Sequence, residues 1–195
     1  MKGTLIVFAR APRLGGVKRR LAAGIGTQAA LRFHRTNTES LIQGLGRDPR
    51  WKTMLAVTPE PWRWPAHLPR LAQQGNDLGA RMSNALRAAP PGPAILVGSD
   101  IPGITPDIVA RAFRVLGAVD AVFGPARDGG YWLVGVRDRG LLRGLFRNVR
   151  WSSEHALADT IGNLPTGRRH LLVDMLEDVD DIESWRRWRN GVSRP

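Results

Sequence analysis

"DAVFGPARDGGYWLVGV" occupies residues 120–136 and decides between two sheet architectures. Its halves, DAVFGPA and GYWLVGV, are rich in Val, Phe, Tyr, Trp and Leu, a composition that suits strands. Between them stand Arg127, Asp128 and two glycines, and Asp-Gly is a hairpin-turn signal. Strands joined this tightly must run antiparallel. The rest of the chain alternates apolar strand-like runs with helical patterns, as in a largely parallel sheet between helices. The expected fold is therefore α/β with a mixed, mainly parallel sheet, and the hairpin is its exception.

Working outward, "AILVGSD" (94–100) is the strongest strand of the chain. "TLIVFAR" (4–10), "TMLAVTP" (53–59), "RLAQQG" (70–75) and "RHLLVDML" (169–176) read as the remaining strands. Helices are expected over 27–45, 78–89, 105–117, 152–164 and 180–191. In the first, Leu31, Thr38, Leu41, Ile42 and Leu45 share a stripe and Thr27 is the cap. The helix at 78–89 stops before Pro90 and Pro91. Thr105 with Pro106 behind it is a strong helix start. Serine is expected to cap 152–164, acidic residues the terminal helix, and Trp185 and Trp188 to be packing residues. The Gly- and Pro-rich stretch "APRLGGVKRRLAAGIG" (11–26) reads as a loop. Without a repeat or linker, one domain over 1–195 is expected.

Composition narrows the function classes. The chain has no cysteine, so disulfide frameworks and thiolate chemistry are excluded, and a reducing cytoplasm is the expected setting. The apolar run "LIVFA" (5–9) is too short for a signal-peptide core or a membrane span. Lysine and arginine together number 29 against 17 acidic residues, a net charge of +12. The basic residues are scattered rather than gathered in a tail or interleaved with aromatics. The charge therefore reads as solvated faces rather than a nucleic-acid surface.

Ligands of open α/β sheets sit beyond the carboxyl ends of the strands. The loop after the first strand carries Pro12, Gly15, Gly16, Lys18, Arg19 and Arg20. Glycine admits phosphate to backbone amides and Lys or Arg neutralises it, although a plain basic surface loop would look the same. It is not a Walker loop, and no complete Gly-x-Gly-x-x-Gly favours a dinucleotide. In "GSDIPG" (98–103), Asp100 ends an apolar strand, where one carboxylate suits a divalent metal bridging a diphosphate. In "QGNDLGARM" (74–82), Asp77 is a helix cap or a site residue, and Arg81 is solvated or faces phosphate. Asp128 is either turn chemistry or a carboxylate delivered to a site. The four histidines lack metal-ligand spacing and read as structural or exposed. No Gly-x-Ser-x-Gly elbow is present.

"FARAPRLGGVKRRLA", "QGNDLGARM", "GSDIPGI" and "GPARDGGYWLVGV", with "WSSEHALADT" (151–160) behind them, resemble in order and spacing the DUF2064 proteins. These are glycosyltransferase-A-like proteins that also carry an arsenosugar-biosynthesis glycosyltransferase label. The wider group includes guanylyltransferases. The resemblance spans nearly the whole chain. It implies a three-layer α/β/α nucleotide-diphospho-sugar transferase fold with one antiparallel strand. It also implies that the first loop touches nucleotide phosphates and that Asp100 is the metal-site aspartate for Mg²⁺ or Mn²⁺. This chain has Lys18-Arg19-Arg20-Leu21 where the family usually has Lys-Thr-Arg-Leu, so a hydroxyl is lost. Under the resemblance Asp128 becomes a candidate base toward an acceptor hydroxyl, or a second metal contact.

The reading is thus a transferase of a sugar from a nucleotide-sugar donor to a small-molecule acceptor. Asp100 is at the metal, Asp128 is the catalytic candidate, and Pro12, Gly15, Lys18, Arg20, Asp77 and Arg81 are at the nucleotide. One rival keeps the fold but takes an NTP and releases pyrophosphate. Another is a non-catalytic nucleotide- or nucleic-acid-binding protein.

Overall fold

The computed structural model describes residues 2–191. Seven strands form one sheet: β1 (Thr4–Ala9), β2 (Lys52–Val57), β3 (Arg70–Ala72), β4 (Ala94–Gly98), β5 (Ala121–Pro125), β6 (Tyr131–Val136) and β7 (His170–Leu172). Their spatial order is β3-β2-β1-β4-β6-β5-β7. β6 runs antiparallel to β4 and β5, and every other neighbouring pair is parallel. The hairpin is therefore the one departure from a parallel sheet, as its tight turn requires. Because β4 and β5 point the same way, the β5–β6 turn lies at the sheet's carboxyl edge, with the loops that follow β1 and β4.

The helices are α1 (Arg19–Ile25), α2 (Thr27–Gly46), α3 (Leu78–Ala88), α4 (Pro106–Leu116), α5 (Ala156–Gly162) and α6 (Ile182–Arg189). Strand pleating sorts the core into two layers. Leu5, Val7 and Ala9 of β1 face Leu41, Ile42 and Leu45 of α2 and Ile108, Ala112 and Leu116 of α4. Ile6 and Phe8 face the other way, into Met82, Ala85 and Leu86 of α3 and Leu157 and Ile161 of α5. The result is the α/β/α sandwich. A smaller apolar cluster of Leu21, Ala30, Val179, Phe33, Trp185 and Trp188 joins α1, α2 and α6 at one side. Trp185 and Trp188 pack there edge to face, 6.0 Å between centroids.

Several expectations shift. Residues 19–25 of the expected loop are helical, because Leu21 and Ile25 have an apolar partner in α6 that local sequence cannot show. Thr27 is the first residue of α2, and Gly26 is its N-cap without a side-chain bond. On α2 the buried stripe runs Ala30, His34, Thr38, Leu41, Ile42 and Leu45, leaving Leu31 half-buried. α5 begins only at Ala156 and has no side-chain cap. Ser152 takes a left-handed backbone (φ 58°) and Ser153 donates to the Arg150 carbonyl instead. β7 keeps only three residues of the expected strand. Thr105 caps α4 as expected, accepting from the Ile108 amide. In α6 the acidic cap is Asp181, which forms a reciprocal capping box with Ser184.

Candidate functional site

Two loops and one late segment meet at the carboxyl edge. Lys18, at the N-cap of α1, adopts a left-handed backbone (φ 48°) that carries its side chain inward. Its side chain is 2% exposed, and Nζ donates to Asp178 Oδ1 at 2.6 Å, Asp180 Oδ1 at 2.7 Å and the Asp100 carbonyl at 3.2 Å. All three ammonium donors are thus engaged within the protein. Burial acts to lower the Lys18 pKa, but the charges of Asp100, Asp178 and Asp180 outweigh it and raise the value. Arg20 is 75% exposed and makes a 3.2 Å contact with Asp180.

Asp100 follows β4 directly. The loop there is held from α2, where Asn37 donates to the Ser99 carbonyl at 2.8 Å. His34, buried on the same helix, has Nδ1 3.1 Å from Asp100 Oδ1. That oxygen and His34 Nδ1 are both buried, out of line for a formal hydrogen bond. The Asp100 side chain as a whole is 49% exposed, so its other oxygen is turned outward. Burial raises the Asp100 pKa, but His34, Lys18 and Arg10 prevail and bring it down to about 2. The carboxylate is therefore ionised at neutral pH.

Asp178 behaves oppositely. Burial pushes its carboxyl up, Lys18 pulls it down, and the neighbouring Asp180 and Asp100 push it up again, to about 7. One ammonium cannot neutralise three carboxylates, so the cluster takes up a proton easily.

Two clefts adjoin this cluster. The first, of about 240 Å³, is lined by Arg10, Gly16, Lys18, Arg19, Arg20, Asp100 and Asp180. The second, of about 210 Å³, includes Leu78, Met82, Tyr131, Trp151, Asp128 and Asp178 in its lining. Ile101 lines the second cleft while its neighbour Asp100 lines the first, and Asp178 joins them through Lys18. Burial raises the Tyr131 phenol far above its ordinary pKa, so it stays protonated.

Asp128 sits on the hairpin turn. Its Oδ1 accepts from the Gly130 amide at 2.9 Å, so it has the turn role, yet it also lines the second cleft. Gly129 has φ 82°, and a Cβ there would lie 2.2 Å from the Glu154 carbonyl oxygen. Glycine at 129 is what lets the turn dock against the start of α5, where the Leu157 amide donates to the Gly129 carbonyl. Asp77 caps α3, its Oδ1 accepting from Ala80 at 2.7 Å, and Arg81 Nε donates to the Gly75 carbonyl. Neither lines either cleft, and neither do Pro12 or Gly15. The arrangement brings Lys18, Arg20 and Asp100 together, with Asp128 in the adjoining cleft. It adds His34, Asp178 and Asp180, which the sequence reading missed. His34 was findable as a member of the α2 apolar stripe that ends beneath the β4 loop. Asp178 and Asp180 had no local signal.

Among the described residues no group of three or more His, Cys, Asp or Glu side chains is arranged to hold a metal. Among those residues a closed protein cage is not formed. The half-exposed, ionised Asp100 suits the other pattern, in which one or two carboxylates share Mg²⁺ or Mn²⁺ with substrate phosphates.

The family model described as "Uncharacterized protein conserved in bacteria (DUF2064)" matches residues 29–153. The match includes Asp100 and Asp128 but neither Lys18 and Arg20 nor Asp178 and Asp180. No curated protein matches the chain. Among solved structures, a "putative nucleotide-diphospho-sugar transferase" from Desulfovibrio desulfuricans G20 aligns at TM-score 0.87 and 28% identity, over 97% of this chain and 87% of that one. A cytidylyltransferase from Leptospira borgpetersenii serovar Hardjo-bovis aligns at TM-score 0.63 and 15% identity, over 99% and 87% of the two chains. Rv0371C of Mycobacterium tuberculosis H37Rv, solved in complex with manganese, aligns at TM-score 0.57 and 18% identity, over 96% and 97%. At these last two identities the likeness is one of fold.

Proposed function

From the premise that this chain belongs to the DUF2064 family, we propose that it transfers a glycosyl group from a nucleoside-diphosphate sugar to a small acceptor, assisted by Mg²⁺ or Mn²⁺. The observation that carries this reading is the partition of charge at the carboxyl edge. A cleft with Arg10, Lys18, Arg19 and Arg20 around Asp100 adjoins an apolar cleft with its own carboxylates. The first suits a diphosphate and the second an acceptor. The Desulfovibrio relative, at 28% identity, supports a nucleotide-linked transferase.

In this mechanism the acceptor oxygen bonds to the anomeric carbon. The bond from that carbon to the diphosphate breaks, and the nucleoside diphosphate leaves with the electron pair. The acceptor proton passes to the Asp128 carboxylate. Arg10, Arg19 and Arg20 stabilise the charge growing on the leaving phosphate. Lys18 joins them by exchanging Asp178 or Asp180 for a phosphate oxygen. Asp100, kept ionised by Lys18 and His34, would hold the metal, which supplies further charge neutralisation at the diphosphate when bound.

The test is thermal denaturation with Mn²⁺ across NTPs, NDPs and NDP-sugars, repeated on Asp100→Ala. A ligand that binds only the folded state raises the melting temperature. Metal-dependent stabilisation by one NDP or NDP-sugar, lost in the variant, is expected. Stabilisation by an intact NTP alone would identify nucleotidyl transfer, checked by pyrophosphate release. A shift indifferent to metal and to Asp100, or none, would overturn both.

A further inference from the structure

The cleft beside the β5–β6 turn has an unexpected charge balance. The chain carries 29 basic residues against 17 acidic ones, yet among the described residues this cleft is lined by Asp128 and Asp178 and by no Lys or Arg. Leu78, Met82, Tyr131 and Trp151 give it an apolar, aromatic body. Trp151 packs edge-on against Tyr131 (6.4 Å) and at a tilt against Phe146 (6.2 Å), so the wall is built rather than loose. Two helix starts reach the cleft, at Leu78 and Ala156, and part of their amides is already taken. The Ala80 amide is taken by Asp77, the Ala156 amide by the Ser153 carbonyl and the Leu157 amide by the Gly129 carbonyl.

We infer that this cleft takes an acceptor with a small apolar or aromatic body, an O–H or N–H nucleophile and no negative charge. The word acceptor rests on the glycosyl-transfer reading; the preference of the cleft does not. A phosphomonoester, with about −1.5 to −2 charge at neutral pH, would meet the Asp128 carboxylate with no cation on the lining, because the Lys18 ammonium behind Asp178 is already engaged by Asp178 and Asp180. A hydroxyl or ammonium instead finds the Asp128 carboxylate, whose Oδ1 alone is held by the turn. The cleft of about 210 Å³ limits the body to roughly one ring. The molecule thus sorts its ligands by charge, with anions in the Arg10–Arg20 cleft and uncharged or cationic groups in this one. The inference also separates the two transfer chemistries, because nucleotidyl transfer to a phosphorylated acceptor would need a cation here.

The test uses benzyl alcohol, benzylamine and benzyl phosphate, three head groups on one ring, titrated into ¹⁵N-labelled protein. The reporter is the Trp151 indole N–H signal, assigned with Trp151→Phe. Benzyl alcohol and benzylamine are expected to shift it, and benzyl phosphate to need about tenfold more ligand for the same shift. In Asp128→Asn the benzylamine advantage over the alcohol shrinks and the phosphate handicap narrows. Benzyl phosphate acting at or below the alcohol's concentration overturns the inference. So does a Trp151 signal that none of the three moves. The nucleotide experiment above reads the other cleft. Loss of its Mn²⁺-dependent shift with these probes behaving as stated would overturn glycosyl transfer alone. A retained shift with a phosphate preference at Trp151 would overturn the acceptor class alone.

Discussion

Lys18 is the residue on which the site's structure turns, and its chemistry differs from that of its neighbour Arg20. With a 2% exposed side chain and two aspartates within 2.7 Å, removing its charge leaves Asp178 without its cation and Asp180 with only the exposed Arg20. Lys18→Met should destabilise the protein by about 3 kcal/mol in urea unfolding, as removal of one partner from a buried pair does. Arg20→Met, at a 75% exposed side chain, should move the urea midpoint little while weakening nucleotide binding. Gly129→Ala tests the hairpin. The φ of 82° and the 2.2 Å approach to the Glu154 carbonyl should cost about 2 kcal/mol or more, read in the same unfolding experiment. Sequence reading reached Lys18 through its Gly-rich loop and Asp100 through its position at a strand end. It could not reach their partners, since Asp178 and Asp180 lie 160 and 162 positions from Lys18.

At the scale of elements, α3 and α6 position site segments through their caps. Asp77→Ala should cost about 1 kcal/mol of stability by removing the acceptor of the Ala80 amide. Because Asp77 lines neither cleft, nucleotide binding by the folded protein should stay unchanged. Asp181→Ala should cost a similar amount, about 1 kcal/mol. Here the consequence reaches the site, because the capping box ends one residue from Asp180 and fixes the turn that presents it to Lys18. A melting curve paired with a nucleotide titration separates the two variants. Caps were legible where side chain and helix start are adjacent, as at Thr105. They were misread at Thr27, where Gly26 is the N-cap, and over 152–164, where α5 starts only after His155 and has no side-chain cap.

For the whole molecule, the acid cluster writes a pH dependence into stability. Asp178 has a folded pKa near 7, against about 4 for an unfolded aspartate. Between those values the native state holds more protons than the unfolded one, so this group makes stability fall as pH rises. Wild type should lose stability relative to Asp178→Asn from about pH 4 to pH 7, read as the difference in urea midpoint. Asp100 has the opposite sign. Its stabilising contribution is present above about pH 4 and is lost as pH falls toward its folded value of about 2. The sheet itself was readable, because strand runs, helix periods and one Asp-Gly turn are all local patterns. α1 was hidden, because its helical state depends on Trp185 and Trp188 of a helix more than 150 positions later.

The contacts from Asp178 and Asp180 to Lys18 have a further meaning for how the protein is made. Synthesis runs from the amino end, so every residue of β1 to β6 is made before Asp178. Until then Lys18 lacks the two carboxylates that its Nζ contacts in the finished fold. The late segment that carries these two aspartates then takes up the Lys18 ammonium, while Arg10 and Arg19 keep lining the cleft, so the end of the chain sets how much of the first loop's charge is left for a ligand.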